Sequence, residues 1–224
     1  MSPHGSPNAP LPDAPSAERA FREVGDVTLH VVAAGDPADP LVVLLHGFPE
    51  FWYEWRAHVE PLVNAGYRVL VPDQRGYNRS DKPSGLDAYR MGRLSSDVVD
   101  LVESEERETA HVVGHDWGAA VAWDAALRHP ETVDRLGIVN VPHPMVFERF
   151  LKTRPRQMAK SWYMFYFQLP KLPEWNASRN GYKFMTTAMR TGARPGAFSA
   201  TDFERYRAAW AEERALPAMI DWNR

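Results

Sequence analysis

The sequence predicts an α/β protein with a mostly parallel sheet, and three observations predict it. Short apolar runs alternate with segments of helical spacing, as in chains whose strands are joined by crossover helices. Several runs lack polar alternation, as strands covered on both faces do. One run passes through a five-residue turn straight into a helix, Gly114-His115-Asp116-Trp117-Gly118.

In chain order, residues 1–17 are rich in Pro, Ser and Ala and have little to bury, so a disordered tail is expected there. Val27 to Val32, Leu41 to Leu45 and Tyr67 to Val71 read as strands, and Trp55 to Ala65 as a helix between the last two. Arg93 to Glu106 has helical spacing, Ala110 to Val113 reads as a buried strand, and Ala119 to Leu127 as the helix after the turn. Arg135 to Val139 reads as a further strand. From Pro142 the segments are helical and rich in Met, Phe, Tyr, Trp and Arg. The expected organisation is a tail (1–17), a core (18–141) and a helical cap (142–224) over the carboxyl edge of the sheet, where open α/β sheets bind ligands.

Composition bounds the function. With 224 residues, 44% hydrophobic, the chain can bury one substantial core. A formal charge of −3 argues against a nucleic-acid surface. The absence of cysteine removes thiol nucleophiles and thiolate metal sites. No apolar run is long enough to span a bilayer and no secretory pattern opens the chain, so a cytoplasmic protein without membrane contact is expected.

The turn at residues 114–118 carries the chemistry. Its glycines let strand and helix approach closely, while the central residue stands on a strained turn above the sheet. That residue is Asp116. A carboxylate is ionised at neutral pH and needs no base to attack, so it suits displacement at saturated carbon, with epoxides and alkyl halides as natural electrophiles. The plain structural alternative is an Asp that caps the following helix.

A second turn, His46-Gly47-Phe48-Pro49-Glu50, follows the strand ending at Leu45. A loop of this type can aim a backbone N–H at developing negative charge, and the N–H groups of Phe48 and Trp117 would together form an oxyanion hole. A tight Gly-Pro turn with a packing His is the alternative.

These two motifs, together with Asp73-Gln74-Arg75-Gly76-Tyr77-Asn78-Arg79-Ser80-Asp81-Lys82-Pro83 and the aromatic stretch Ser161 to Pro170, resemble an α/β-hydrolase of the epoxide hydrolase family. The resemblance runs from about Phe21 to the end. It implies that Asp116 is the nucleophile, that Phe48 and Trp117 are the oxyanion-hole donors, and that Tyr163 on the cap donates a proton to the epoxide oxygen. It implies neither a metal nor an organic cofactor. His46, Phe165, Phe167 and Leu169 are the expected pocket residues, for a small apolar epoxide-type substrate. The polar loop 73–83 is expected to pin the backbone after its strand.

Two departures from the family concern the end of the chain. The family's cap closes with Trp-Tyr-Arg, whose Tyr is a second proton donor, whereas here the segment is Trp222-Asn223-Arg224. An amide donates a hydrogen bond but no proton. The family's last strands, with the acid and the His that activate water, follow this point. No His occurs after His143, so turnover is expected to be impaired. The strand around Ile138 is then expected to be an open sheet edge, and a second copy of the chain is a candidate to cover it. A haloalkane dehalogenase-like hydrolase and a non-catalytic fragment are the alternatives. Trp117 does not separate the two reactions, while Phe48 and Tyr163 favour the epoxide.

Overall fold

A computed structural model describes residues 9–154 and 162–224. Six strands form one sheet in the order β1-β2-β4-β3-β5-β6: β1 (Glu18–Val24), β2 (Val27–Ala34), β3 (Leu41–Leu45), β4 (Arg68–Pro72), β5 (Ala110–His115) and β6 (Val133–Val139). The pairs β4/β3, β3/β5 and β5/β6 are parallel, whereas β1/β2 and β2/β4 are antiparallel. The mostly parallel α/β sheet predicted from the apolar runs is therefore present, with an antiparallel hairpin at one end.

Every residue of β3 and β4 is buried, which is why these runs show no alternation. Removing such Val and Leu side chains from water is worth about 1.5–3 kcal/mol each. The apolar pattern does not announce β1, because its charged residues leave much of the strand in water. Of the stretch expected as a disordered tail, residues 9–17 are placed against this end of the sheet. The Gly35 N–H donates to Pro15 O at 2.9 Å, and Ala9 is buried.

Helices link the parallel strands. Helix α1 (Arg56–Asn64) joins β3 to β4, and α2 (Met91–Glu103) leads into β5. The buried face of α2 carries Leu94, Val98, Leu101 and Val102 at helical spacing. Helix α3 (Trp117–Arg128) buries Gly118, Ala119, Val121, Ala122 and Ala125, whose small size lets it lie close to the sheet. The Ser95 hydroxyl of α2 donates to Asp124 of α3 at 2.7 Å.

The connections diverge between β3 and β5. From β3 the chain moves one way to β4, then returns past β3 to β5. The loops leaving the carboxyl ends of β3 and β5 thus part at a topological switch point, the place where open sheets form a crevice. Leu45 pairs with Gly114, so residues 46–48 lie beside residues 115 and 116.

After β6 come α4 (Pro144–Thr153), α5 (Trp162–Phe167), α6 (Leu172–Gly192), α7 (Ala200–Ala211) and α8 (Ala215–Asp221). Helix α6 is interrupted at residues 179–182, where Asn180, Gly181 and Tyr182 have left-handed backbone angles. Helix α7 starts from a capping box made by Ser199 and Asp202. It is fastened to the loop after β3: Tyr206 donates to Glu50 at 2.9 Å, Trp210 to Pro49 O at 2.6 Å, and Tyr53 to Asp202 at 2.8 Å. Among the described residues β6 pairs with β5 alone, and no helix is long and apolar enough to cross a membrane.

Candidate active site

Asp116 occupies the turn between β5 and α3 at φ 51° and ψ −121°, a backbone conformation that costs a residue with a Cβ about 1–3 kcal/mol. The packing around it enforces this geometry. A Cβ on Gly114 would lie 2.3 Å from Gly118 O, and one on Gly118 would lie 2.3 Å from Leu45 O. Only glycine fits at either place. The Asp116 side chain makes no capping bond to α3, so the helix-cap reading does not describe it.

Its carboxylate faces the other loop instead. The Phe48 N–H donates to Asp116 Oδ1 at 2.9 Å. Gly47 makes that approach feasible, because a Cβ there would stand 2.5 Å from Asp116 Cβ. The Trp117 N–H belongs to the first residue of α3, where a helix leaves its N–H groups without intrahelical partners.

His46 is placed away from the expected pocket wall. It is fully buried, with Nδ1 3.1 Å from Gly47 O, while Nε2 accepts from the Gln74 N–H at 3.0 Å. Burial depresses its pKa, so the ring is neutral and braces the loop after β3 against the loop after β4. That second loop is itself pinned. Asp73 accepts from Trp52 N–H at 3.0 Å and Asn78 at 2.7 Å, with His30 Nδ1 at 2.7 Å. Burial alone would raise the Asp73 pKa, but His30 and these donors outweigh it and hold the carboxyl below the usual range. Arg75 forms a two-pronged pair with Asp97 at 2.6 and 2.8 Å and reaches Asp26 at 2.7 Å.

Two carboxylates stand beside these turns, Glu54 against Gly47 and His115 and Glu50 against Tyr206, and the sequence carries no signal for their arrangement. Glu54 accepts from the Gly47 N–H at 2.8 Å. It also lies 2.7 Å from His115 Nδ1, off the N–H axis. Glu54 raises the His115 pKa against the opposing effect of burial. Burial and the neighbouring Glu54 push Glu50 up to about 8, the Tyr206 hydroxyl bond notwithstanding.

Asp116 and Trp117 open onto a cavity of about 530 Å³, lined also by Asn140, Pro142, Phe147, Phe150 and Asn223. The walls are largely apolar, as small-molecule sites are. The expected pocket residues lie elsewhere. Phe165 and Leu169 are exposed, and Phe167 is buried edge-on against Phe48 at 5.3 Å between ring centres. The side chain of Tyr163 lies outside the described residues. Sequence reasoning missed Phe147 and Phe150, although α4 carries them one turn apart on one face. Among the described residues no group of three metal-ligating side chains occurs.

The Trp117 indole N–H donates to Asn223 Oδ1 at 3.2 Å. Trp222 donates to Arg75 O at 2.9 Å, and Arg224 binds the carbonyls of Phe167 and Leu169, each at 2.9 Å. The segment 222–224 therefore ties the helices after β6 to the core at the cavity.

Residues 40–217 match the alpha/beta hydrolase fold family. The AB hydrolase superfamily protein YfhM of Bacillus subtilis is 48% identical over 204 residues, which are 91% of this chain and 71% of that protein. Human epoxide hydrolase 4 is 37% identical over 225 residues, 97% of this chain and 62% of that protein. The crystal structure of a Bacillus megaterium epoxide hydrolase in complex with an inhibitor superposes with a TM-score of 0.85 at 32% identity. It covers 92% of this chain and 71% of that one. A variant of an epoxide hydrolase from the same organism was crystallised with its product, a naphthyloxy-substituted propanediol.

Proposed function

Because the chain belongs to the epoxide hydrolase family of the α/β-hydrolase superfamily, we propose that Asp116 opens an epoxide by direct attack and becomes an alkyl ester. The single observation that carries this reading is the Phe48 N–H bond to Asp116 Oδ1 at 2.9 Å. It fixes one carboxylate oxygen and leaves Oδ2 as the nucleophile. Oδ2 forms a bond to a ring carbon, the ring C–O bond breaks, and the electron pair passes to the epoxide oxygen. Tyr163 supplies the proton that this basic alkoxide takes up.

Release of a vicinal diol requires water to attack the ester carbonyl. The oxyanion formed would reside on Oδ1, where the Phe48 and Trp117 N–H groups would hold it. Among the described residues, the histidines flanking this site are otherwise engaged. His46 has both nitrogens engaged, and His30 and His115 face Asp73 and Glu54. The chain is therefore proposed to perform the first half-reaction and to hold the ester. Substrates are small apolar epoxides, a class that the cavity wall of Phe147, Phe150, Pro142 and Pro144 supports. Intact-mass measurement after exposure to styrene oxide tests the reading, with a persistent adduct of one equivalent on Asp116 as the expected result.

A further inference from the structure

A second, small cavity of about 20 Å³ shares no lining residue with the cavity of Asp116. Arg19 reaches it from β1, His30 from β2, Asn78 and Arg79 from the loop after β4, and Arg205 from α7. Among the described residues no carboxylate lines it. His30 is 1% exposed. Its Nδ1 lies 2.7 Å from Asp73 Oδ2, a carboxyl held below its usual range and therefore ionised, so Nδ1 carries the hydrogen of that bond. Nε2 is buried and has no hydrogen-bond partner among the described residues. A polar atom left bare in the interior is costly and calls for a partner.

The charges around this cavity are unbalanced. Arg19 donates to Ala9 O, and Arg79 lies over the Phe21 ring at 5.2 Å, but neither meets a carboxylate in an ion pair among the described residues. Arg205 differs, lying 3.6 Å from Asp202 and donating to the Tyr53 hydroxyl. Arg19 and Arg79 are close enough to repel each other: burial first, and then Arg79, lower the Arg19 pKa against the opposing pull of Asp73. Residues 1–8 contain neither Asp nor Glu to offset them. Size narrows the class of partner, because a space of about 20 Å³ holds one water-sized particle and excludes a phosphate or an organic carboxylate. A water would satisfy the imidazole nitrogen and leave the guanidinium groups uncompensated, whereas a monatomic anion answers both.

We propose that this cavity is a structural chloride site, in which the anion accepts from His30 Nε2 and is faced by Arg19, Arg79 and Arg205. The inference is independent of any role for Asp116. The imidazole then carries a hydrogen on each nitrogen, Nδ1–H toward Asp73 and Nε2–H toward chloride, and the ring separates the two negative charges. The residues that face the ion come from β1, β2, the loop after β4 and α7. A single chloride thus fastens a helix that follows β6 to the antiparallel end of the sheet, and does so through charge where the apolar core does not reach.

Thermal melts of the 224-residue chain in sodium chloride and in sodium gluconate at matched ionic strength test this, gluconate being too large for the cavity. A ligand bound by the folded state alone raises stability with the logarithm of its concentration above its dissociation constant. The expected result is such a rise in chloride, reproduced by sodium bromide and absent in gluconate. Arg79→Gln, at an exposed side chain, removes one unpaired charge and is expected to move the onset of the rise to about tenfold higher chloride, the worth of one hydrogen bond to a charged group. Arg19→Gln removes the other and serves should the first variant fail to fold. Equal melts of the parent chain in chloride and gluconate overturn the inference and leave the cavity to water. A chloride rise of unchanged onset in the folded variants also overturns it, as a salt effect exerted elsewhere.

Discussion

Gly47 and Asp116 stand so close that a Cβ on the glycine would fall 2.5 Å from the Cβ of the aspartate. The loop after β3 and the turn at Asp116 are thus fitted to one another through an absent side chain. Gly47→Ala forces them apart and lengthens the Phe48 N–H bond to the carboxylate. The expected outcome is a loss of about 1–3 kcal/mol of stability from overpacking and a large fall in Asp116 alkylation. Urea unfolding and adduct kinetics on the same preparation separate the two effects.

Arg75 is almost fully buried between Asp97 and Asp26. Removing one partner of such a group strands a buried charge, which costs about 3–5 kcal/mol. Arg75→Met is expected to unfold at markedly lower denaturant. Arg75→Lys should recover little, because an ammonium cannot reproduce the two-pronged geometry. Denaturant midpoints for both variants check this.

Glu50, in the loop after β3, gives a pH dependence of definite sign. Glu50 has its pKa raised from 4.5 to about 8, so the folded chain binds its proton more tightly than the unfolded chain does. The stability this contributes is complete below about 4.5 and is lost as pH rises toward 8. Glu50→Gln removes the charging step. The variant is expected to melt above the parent at pH 9, and the difference should shrink or reverse at pH 5. Thermal melts at the two pH values decide the matter, and an equal offset at both would contradict it.

Glu54 raises the His115 pKa above its ordinary 6.5. The attraction is fully present below 6.5 and fades as pH rises through the elevated value. In Glu54→Gln the imidazole should titrate at a lower pH. Nuclear magnetic resonance of the His115 ring protons measures the shift directly, and an unchanged midpoint would show that the contact carries no charge coupling.

What the sequence disclosed is what local chain grammar controls. The strand Leu41–Leu45 is found at the predicted residues, because a fully apolar run between turns has few alternatives. The turn at Asp116 was legible because its glycines must sit at fixed offsets for strand and helix to meet. The strand β1 was not, since its charged residues satisfy an exposed position at the end of the sheet.

The cavity was only partly legible for a different reason. Phe147 and Phe150 reach it through the path of α4 after β6, which local patterning does not specify. His46 follows the same strand end whether its ring points outward or inward, and here the Gln74 N–H draws it inward. The Glu54 contact with His115 depends on the parallel pairing of β3 with β5. Long-range register of that kind leaves no trace in either local segment.

Asp116 is proposed to be a working nucleophile. The most direct measurement is the intact mass of the chain over time in excess styrene oxide, with diol assayed in parallel and Asp116→Asn as the control. A stable gain of one styrene oxide, mapped to Asp116, absent from the variant and unaccompanied by steady diol release, is the predicted result. Equal labelling of the variant would contradict the nucleophile, and sustained diol production by the parent chain would contradict the stalled ester.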